Sequence, residues 1–136
     1  MRAIYLSGGI QQFHTIEEAT TWREWAIKEL QNDFLMINPM RRIFNDKEFF
    51  SHNEIVNFDK YDIQKSDIIL VNCTKPSWGT AMEIMYAYSL GKFIVAFTNS
   101  DFKKVTPWIV VHSTRVCISL DEAIEYIQKH FPKWEK

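Results

Sequence analysis

The sequence lacks the features that would place it in a membrane, on nucleic acid or around a metal. No stretch approaches the roughly 20 apolar residues that cross a bilayer. The apolar run in the opening MRAIYLSGGI is too short for the core of a signal peptide. Formal net charge is -1, and basic residues cluster no more tightly than in pairs such as Arg41-Arg42, so the chain lacks the footprint that neutralises many phosphates. These absences argue against membrane and nucleic-acid partners and leave a small molecule as the expected one. Two cysteines, Cys73 and Cys117, lie far apart in strand-like runs and read as reduced, buried thiols of a cytoplasmic protein. His14, His52, His112 and His130 have no metal-like spacing with each other or with the cysteines. Gly8-Gly9 follows a strand but forms neither G-x-G-x-x-G nor a phosphate loop with its lysine, and no serine sits in a nucleophile elbow. No metal and no cofactor are implied.

What is present is a globular chain: 46% apolar, 15% aromatic and 24% charged residues suit one folded domain over 1–136. Ala3-Ile4-Tyr5-Leu6 predicts a buried strand closed by Gly8-Gly9. Thr15-x-x-Glu18 opens a helix to about Asn32, and Phe34 to Ile37 is a second strand stopped by Asn38-Pro39. Met40 to His52 is polar and aromatic without a period. Asn53 to Lys65 reads as helix, Asp67 to Cys73 as a central strand, and PSWGTAMEIMYAYSLGK as a turn and an almost wholly apolar helix. Phe93 to Phe97 and Val116 to Ile118 are further strands, and Leu120 to Phe131 is an amphipathic helix started by Ser119 or Asp121. Strands alternating with helices predict an α/β, three-layer, flavodoxin-like or Rossmann-like domain with a mainly parallel five-stranded sheet. In such sheets ligands bind at the carboxyl ends of the strands. Those ends carry Ser7-Gly8-Gly9, Asn38-Pro39, Cys73 to Gly79 and Thr98-Asn99.

Glu83 is the acid that needs explaining, because it sits near the start of an apolar helix at that edge. Thr80-x-x-Glu83 is a capping-box pattern, so capping in the first turn is one reading. The other is chemical: a helix N-terminus favours the ionised carboxylate, and an anion at the ligand end of a sheet suits a nucleophile. Asp59, Asp62 and Asp67 are the candidate second acids. Asp67 belongs to the amino end of its strand and reads as structural, while Asp59 and Asp62 default to a solvated helix face unless that face meets the strand tops. Two carboxylates with separate roles are what glycosidic cleavage requires.

Taken in order and spacing, Tyr5-Leu6-Ser7-Gly8-Gly9, Asp59-x7-Asp67 and Pro76-Ser77-x-Gly79-x3-Glu83 resemble the nucleoside 2-deoxyribosyltransferase superfamily over nearly the whole chain. The nearest branch is the 2'-deoxynucleoside 5'-phosphate N-hydrolases. The resemblance implies that Glu83 is the nucleophile, that Asp59 is the partner acid, and that Tyr5 holds Glu83 or the sugar. It implies a substrate surface from Ser7, Gly8, Gly9, Ser77 and Gly79, with Ser77 on a 5'-phosphate. Tyr5 also suits a buried strand, Ser77 a helix cap, and Gly79 a plain turn. Trp78, Phe13, Phe44 and the Met40 to Phe50 stretch are candidates for stacking on a base, against the ordinary reading as core.

The likeness has departures. Gln11 stands where that branch has a phosphate-binding arginine, and His14 or Arg23 replaces it only if the fold brings one there. The substrate is then a nucleoside, or a nucleotide gripped differently. Relatives complete the site from a neighbouring subunit, which implies a homodimer or dimer-based oligomer and points to Trp108 to Thr114, with Ser113 the polar contact or else a surface residue. The expected reaction is release of a free base by an N-glycosidase through a glutamyl ester. The alternatives are base exchange by a deoxyribosyltransferase and a non-catalytic nucleotide-binding sensor.

Overall fold

The computed structural model describes residues 1–10, 15–42, 50–99 and 104–131. In chain order the elements are β1 (Ala3–Ser7), α1 (Ile16–Leu30), β2 (Leu35–Ile37), a 3₁₀ turn (Pro39–Arg42) and α2 (His52–Lys65). They continue with β3 (Ile68–Asn72), α3 (Trp78–Ser89), β4 (Phe93–Phe97), α4 (Pro107–His112), β5 (Arg115–Cys117) and α5 (Leu120–His130). The strands form one sheet in the order β2-β1-β3-β4-β5, and every neighbouring pair is parallel. This is the flavodoxin-like order, and the expected α/β fold is the one observed.

Side-chain alternation sorts the core into two layers. Ile4, Leu6, Ile68, Leu70, Val95 and Phe97 point to one face, where α1 and α5 cover them with Trp22, Ala26, Leu30, Ala123, Ile124 and Ile127. Ala3, Tyr5, Ile69, Val71, Ile94 and Ala96 point to the other, under Ile63 of α2 and Ile84 and Ala87 of α3. Both faces of β1 and β3 are buried, which is why these strands read as continuous apolar runs. The sheet order turns at β1, whose neighbours β2 and β3 lie on opposite sides, so the carboxyl ends of β1 and β3 flank the crevice where such folds bind ligands.

Local chemistry sets the helix starts. Thr15 accepts from the Glu18 amide at 3.0 Å, and Ser51 and Glu54 form a reciprocal capping box on α2. Ser119, one of the two starts expected, caps α5. Past the end of α3, Gly91 adopts φ +72°, a left-handed conformation that glycine takes without steric penalty. The ends of β1, α1, β2, α2, β3, β5 and α5 differ from expectation by one or two residues. The six-residue α4 was not foreseen: Thr106 caps it and Pro107 occupies its first turn, too short a segment to show a period. Both cysteines are free thiols, Cys117 buried and Cys73 partly so. Among the described residues no helix is long and apolar enough to cross a membrane.

Candidate active site

β1 carries Tyr5 and Ser7 two residues apart, so both side chains leave the sheet on the α2/α3 face. There they meet Glu83. The Tyr5 hydroxyl donates to Glu83 Oε2 at 2.9 Å, and Ser7 Oγ donates to Oε1 at 2.6 Å. Each carboxylate oxygen is thus aimed by one hydroxyl.

The helix-cap reading of Glu83 is corrected. α3 begins at Trp78 and its cap is Ser77, which accepts from the Thr80 amide. Thr80 is therefore inside the helix, and Glu83 lies in the second turn rather than the first. Its carboxylate turns away from the local backbone to side chains of β1.

A cavity of about 400 Å³ opens over this carboxylate. Its floor is Tyr5 and Glu83, and Gly8, Gly9 and Ile10 form the rim after β1. Ser77, Gly79 and Thr80 form the α3 wall, while His52, Ile55, Val56 and Asp59 form a stripe from α2. Phe50, Phe58, Pro39 and Arg42 close the far side. Asp59 shares the cavity with Glu83, so the α2 face that carries it does reach the strand tops.

Burial, with a second push from Asp59, raises Glu83 to about 7, although the Ser7 and Tyr5 hydroxyls and Arg23 pull it down. Burial likewise raises Asp59 to about 6, against the opposing pull of Arg42. Tyr5 is raised well above its ordinary value, by burial first and then by Glu83 and Asp59, so it remains a neutral donor. Two acids that sit near neutrality are held together in one largely apolar pocket.

Asp62 departs from the solvated-face default. It is 2% exposed and binds two arginines: Arg42 in a fork at 2.7 and 3.0 Å, and Arg41 at 2.9 Å. Burial pushes its carboxyl up, but the hydrogen bonds from Arg41 and Arg42 outweigh that and hold it below the usual range. The pair positions Arg42 with Nη1 3.9 Å from Asp59 Oδ1 and its guanidinium 4.8 Å from the centre of the Phe58 ring. Sequence reading found Arg41-Arg42 but not this role, since its partners lie about 20 residues downstream. The i, i+3, i+4, i+7 stripe of His52, Ile55, Val56 and Asp59 was the signal that could have joined Asp59 to the pocket wall. Asp67 sits at the opposite edge, as read, and its Oδ2 accepts from the Ala3 amide at 2.9 Å.

The other candidates divide. Ser77, Gly8, Gly9 and Gly79 line the cavity. At Gly8 a Cβ would come within 3.0 Å of Trp22 and 3.2 Å of Asn72 Cβ, so a side chain there would make these neighbours give way. A Cβ at Gly79 would meet nothing within 4 Å, so no protein packing excludes a side chain there. Trp78 is 82% exposed and lines neither this cavity nor the one between the ends of β3 and β4. Ser113 caps the end of α4, donating to Ile109 O at 2.6 Å, and is also outside both cavities of its own chain. Arg23 is not a free phosphate ligand: it is fully buried and spends its donors on protein atoms. Gln11, Phe13, His14 and Phe44 lie outside the described residues.

A second cavity of about 420 Å³ lies on the other side of the α3 N-terminus, between the ends of β3 and β4. It shares Ser77 and Thr80 with the first, and among the described residues no acid lines it. Among the described residues no cluster of three or more histidine, cysteine or acidic side chains could hold a metal.

The fold is that of deoxyribosyltransferase-type α/β domains, and it matches solved structures over almost the whole chain. One is a 2-deoxyribosyltransferase from Leishmania mexicana, at 21% identity and TM-score 0.72, covering 96% of this chain and 99% of that one. Another is a 2-deoxyribosyltransferase from Bacillus psychrosaccharolyticus, at 18% identity and TM-score 0.76, covering 98% of each. A third is a CMP N-glycosidase from Clostridium botulinum, at 18% identity and TM-score 0.66, covering 95% and 99%. No protein-family model matches the chain, and no curated protein matches its sequence.

Proposed function

We propose that this chain is an N-glycosidase of the nucleoside 2-deoxyribosyltransferase superfamily. Its substrate is a nucleoside or (2'-deoxy)nucleoside 5'-monophosphate, and Glu83 is its nucleophile. The observation that carries the reading is the Glu83 carboxylate, held oxygen by oxygen by Tyr5 and Ser7 and facing a cavity shared with Asp59. The fold likeness to two deoxyribosyltransferases and a CMP N-glycosidase supports the class of reaction.

The steps balance as follows. One Glu83 oxygen attacks C1' of the sugar, forming an ester as the C1'–N bond breaks. The bonding pair leaves with the base nitrogen, which takes a proton from protonated Asp59 or from water. Water then attacks C1' and gives a proton to the Asp59 carboxylate, the ester opens, and Glu83 is restored as the anion. The phenol of Tyr5 and the hydroxyl of Ser7 aim the carboxylate in both steps. Phe50, Phe58, Ile55 and Val56 offer a planar base an apolar wall.

Hydrolysis of a monophosphate is favoured by Ser77. Its oxygen accepts from the Thr80 amide and hydroxyl, which leaves its proton for a ligand oxygen beside the first-turn amides of α3. Base exchange is the second reading, favoured by the two transferases that share the fold. The working form is a cytoplasmic homodimer. Trp78, Met82, Met85 and Tyr88 of α3 are exposed beside Trp108 of α4, whose ring stacks on His112, and a second copy would cover them and bring Ser113 toward the neighbouring cavity.

The test is base release from a panel of nucleosides and monophosphates by wild type, Glu83→Gln and Glu83→Ala. Turnover by wild type that falls roughly 1000-fold or more in both variants, with binding kept, supports the reading. Ligand binding without base release in any of them would make the chain a sensor instead. An excess of a second free base separates the two enzymatic outcomes, because a new nucleoside appears only if the sugar is transferred.

A further inference from the structure

We propose that Arg23 is a positioning residue of this site: buried under the tip of β1, it fixes the backbone that presents Tyr5 and Ser7 and supplies a positive charge that favours the ionised form of Glu83. The proposal rests on the reading of Glu83 as nucleophile.

The geometry comes first. Arg23 belongs to α1, which packs on the sheet face opposite α3. Its Nε donates to Leu6 O at 3.3 Å and its Nη2 to Gly8 O at 3.0 Å, the carbonyls on either side of Ser7. One rigid planar group therefore clamps the residue whose hydroxyl binds Glu83 Oε1. Nη1 donates to Ala19 O at 2.7 Å within the same helix and contacts Met40 Sδ at 3.4 Å. Met40 precedes Arg41 and Arg42 in the 3₁₀ turn, so the same guanidinium touches the segment that reaches Asp59 and Asp62.

The charge comes second. Arg23 is 0% exposed, and among the described residues no carboxylate lies within ion-pair distance of it. A backbone clamp alone does not require a formal charge, and burying one without a contacting anion is costly. Burial lowers it to about 10, and the carboxylates of the cavity, Glu83 and Asp59, favour its charged form. At neutral pH it is still a cation. Among the described residues, the titratable and charged groups around Glu83 are Tyr5 on β1, Asp59 and His52 on α2, Arg42 in the 3₁₀ turn and Arg23 on α1. Of the two arginines, Arg42 is committed to Asp62 and lies beside Asp59, whereas Arg23 is the one that pulls Glu83 down.

The test compares wild type with Arg23→Met, which keeps the bulk without charge, and Arg23→Lys, which keeps charge but loses the planar fork. Carbon NMR titration of the Glu83 carboxyl, assigned with Glu83→Gln, reads ionisation without reference to catalysis. The pH profile of kcat/KM reads its consequence. Arg23→Met is expected to move the Glu83 midpoint up by about one pH unit, a tenfold smaller ionised fraction on the acid side, and to carry the pH profile with it. Arg23→Lys is expected to keep the midpoint near wild type and to lose kcat at every pH. If Arg23→Met does not fold, Arg23→Gln takes its place in the same titration. A midpoint unchanged on removing the charge overturns the proposal, even if activity falls. Absence of base release by wild type would sink the enzymatic reading instead, and the NMR titration would still decide the role of Arg23.

Discussion

Glu83 and Asp59 repel one another's charge, and that repulsion shapes how the site responds to pH. Burial and the neighbouring acid place Glu83 at about 7 and Asp59 at about 6. Protons leave such a pair in two macroscopic steps, and the mechanism needs one proton on the pair, an anion to attack and an acid to deliver. kcat/KM is therefore expected to be a narrow bell peaking between about pH 6 and 7. Asp59→Asn should lower turnover by roughly 100- to 10,000-fold and move the remaining Glu83 limb to lower pH, since a source of repulsion is gone. Stability follows the same group. Glu83 is raised from 4.5 to about 7 in the fold, so its favourable protonated state is fully present below 4.5 and lost as pH rises through 7. Glu83→Gln escapes that loss. Urea denaturation should show no gain over wild type near pH 4 and a gain of up to about 3 kcal/mol above pH 7. Equal stability at both pH values would mean that the carboxylate is not strained by its pocket.

At the scale of elements, the site is a joint between the end of β1, the start of α3 and one stripe of α2. Gly8, just past β1, packs against Trp22 and Arg23 of α1 and against Asn72 at the end of β3. Gly8→Ala should cost about 1–3 kcal/mol, because Asn72 Cβ, fixed to the end of β3, has little room to retreat. Its activity should fall further than its stability predicts, as Ser7 shifts against Glu83; a urea midpoint and a base-release rate measured together check this. The elements themselves were largely legible. Ala3 to Leu6, Ile68 to Val71 and Phe93 to Phe97 are apolar on both sides because parallel strands are covered on both faces. Ser77 and Thr80 both read as possible caps of α3 because they stand three residues apart; Ser77 is the cap, and local sequence does not rank the two. The Tyr5 and Ser7 bonds to Glu83 span 78 and 76 residues, and no local period encodes them. Glu83 stood out as an acid near the start of an apolar helix and Tyr5 through the family spacing, whereas the Asp62 and Arg42 fork and the Arg23 clamp have no such pattern.

For the whole molecule, the parallel sheet turns at β1 and opens its crevice beside β3, and α3 both closes that crevice and exposes Trp78, Met82, Met85 and Tyr88. A second copy covering that face would link assembly to activity. Met82→Glu places a charge in its middle and should yield a monomer by sedimentation, with base release reduced and β1 unaltered; an oligomer unchanged by this substitution would place the interface elsewhere. The central claim, a covalent bond between sugar and Glu83, is tested most directly by trapping it. A 2'-fluoro-substituted nucleoside or monophosphate slows cleavage of the ester by disfavouring positive charge at C1'. After incubation, peptide mass mapping is expected to find the fluorinated sugar on the segment holding Glu83, and none in Glu83→Gln. Wild-type protein that releases base from this compound while carrying no adduct, or carrying it on another residue, would contradict the account.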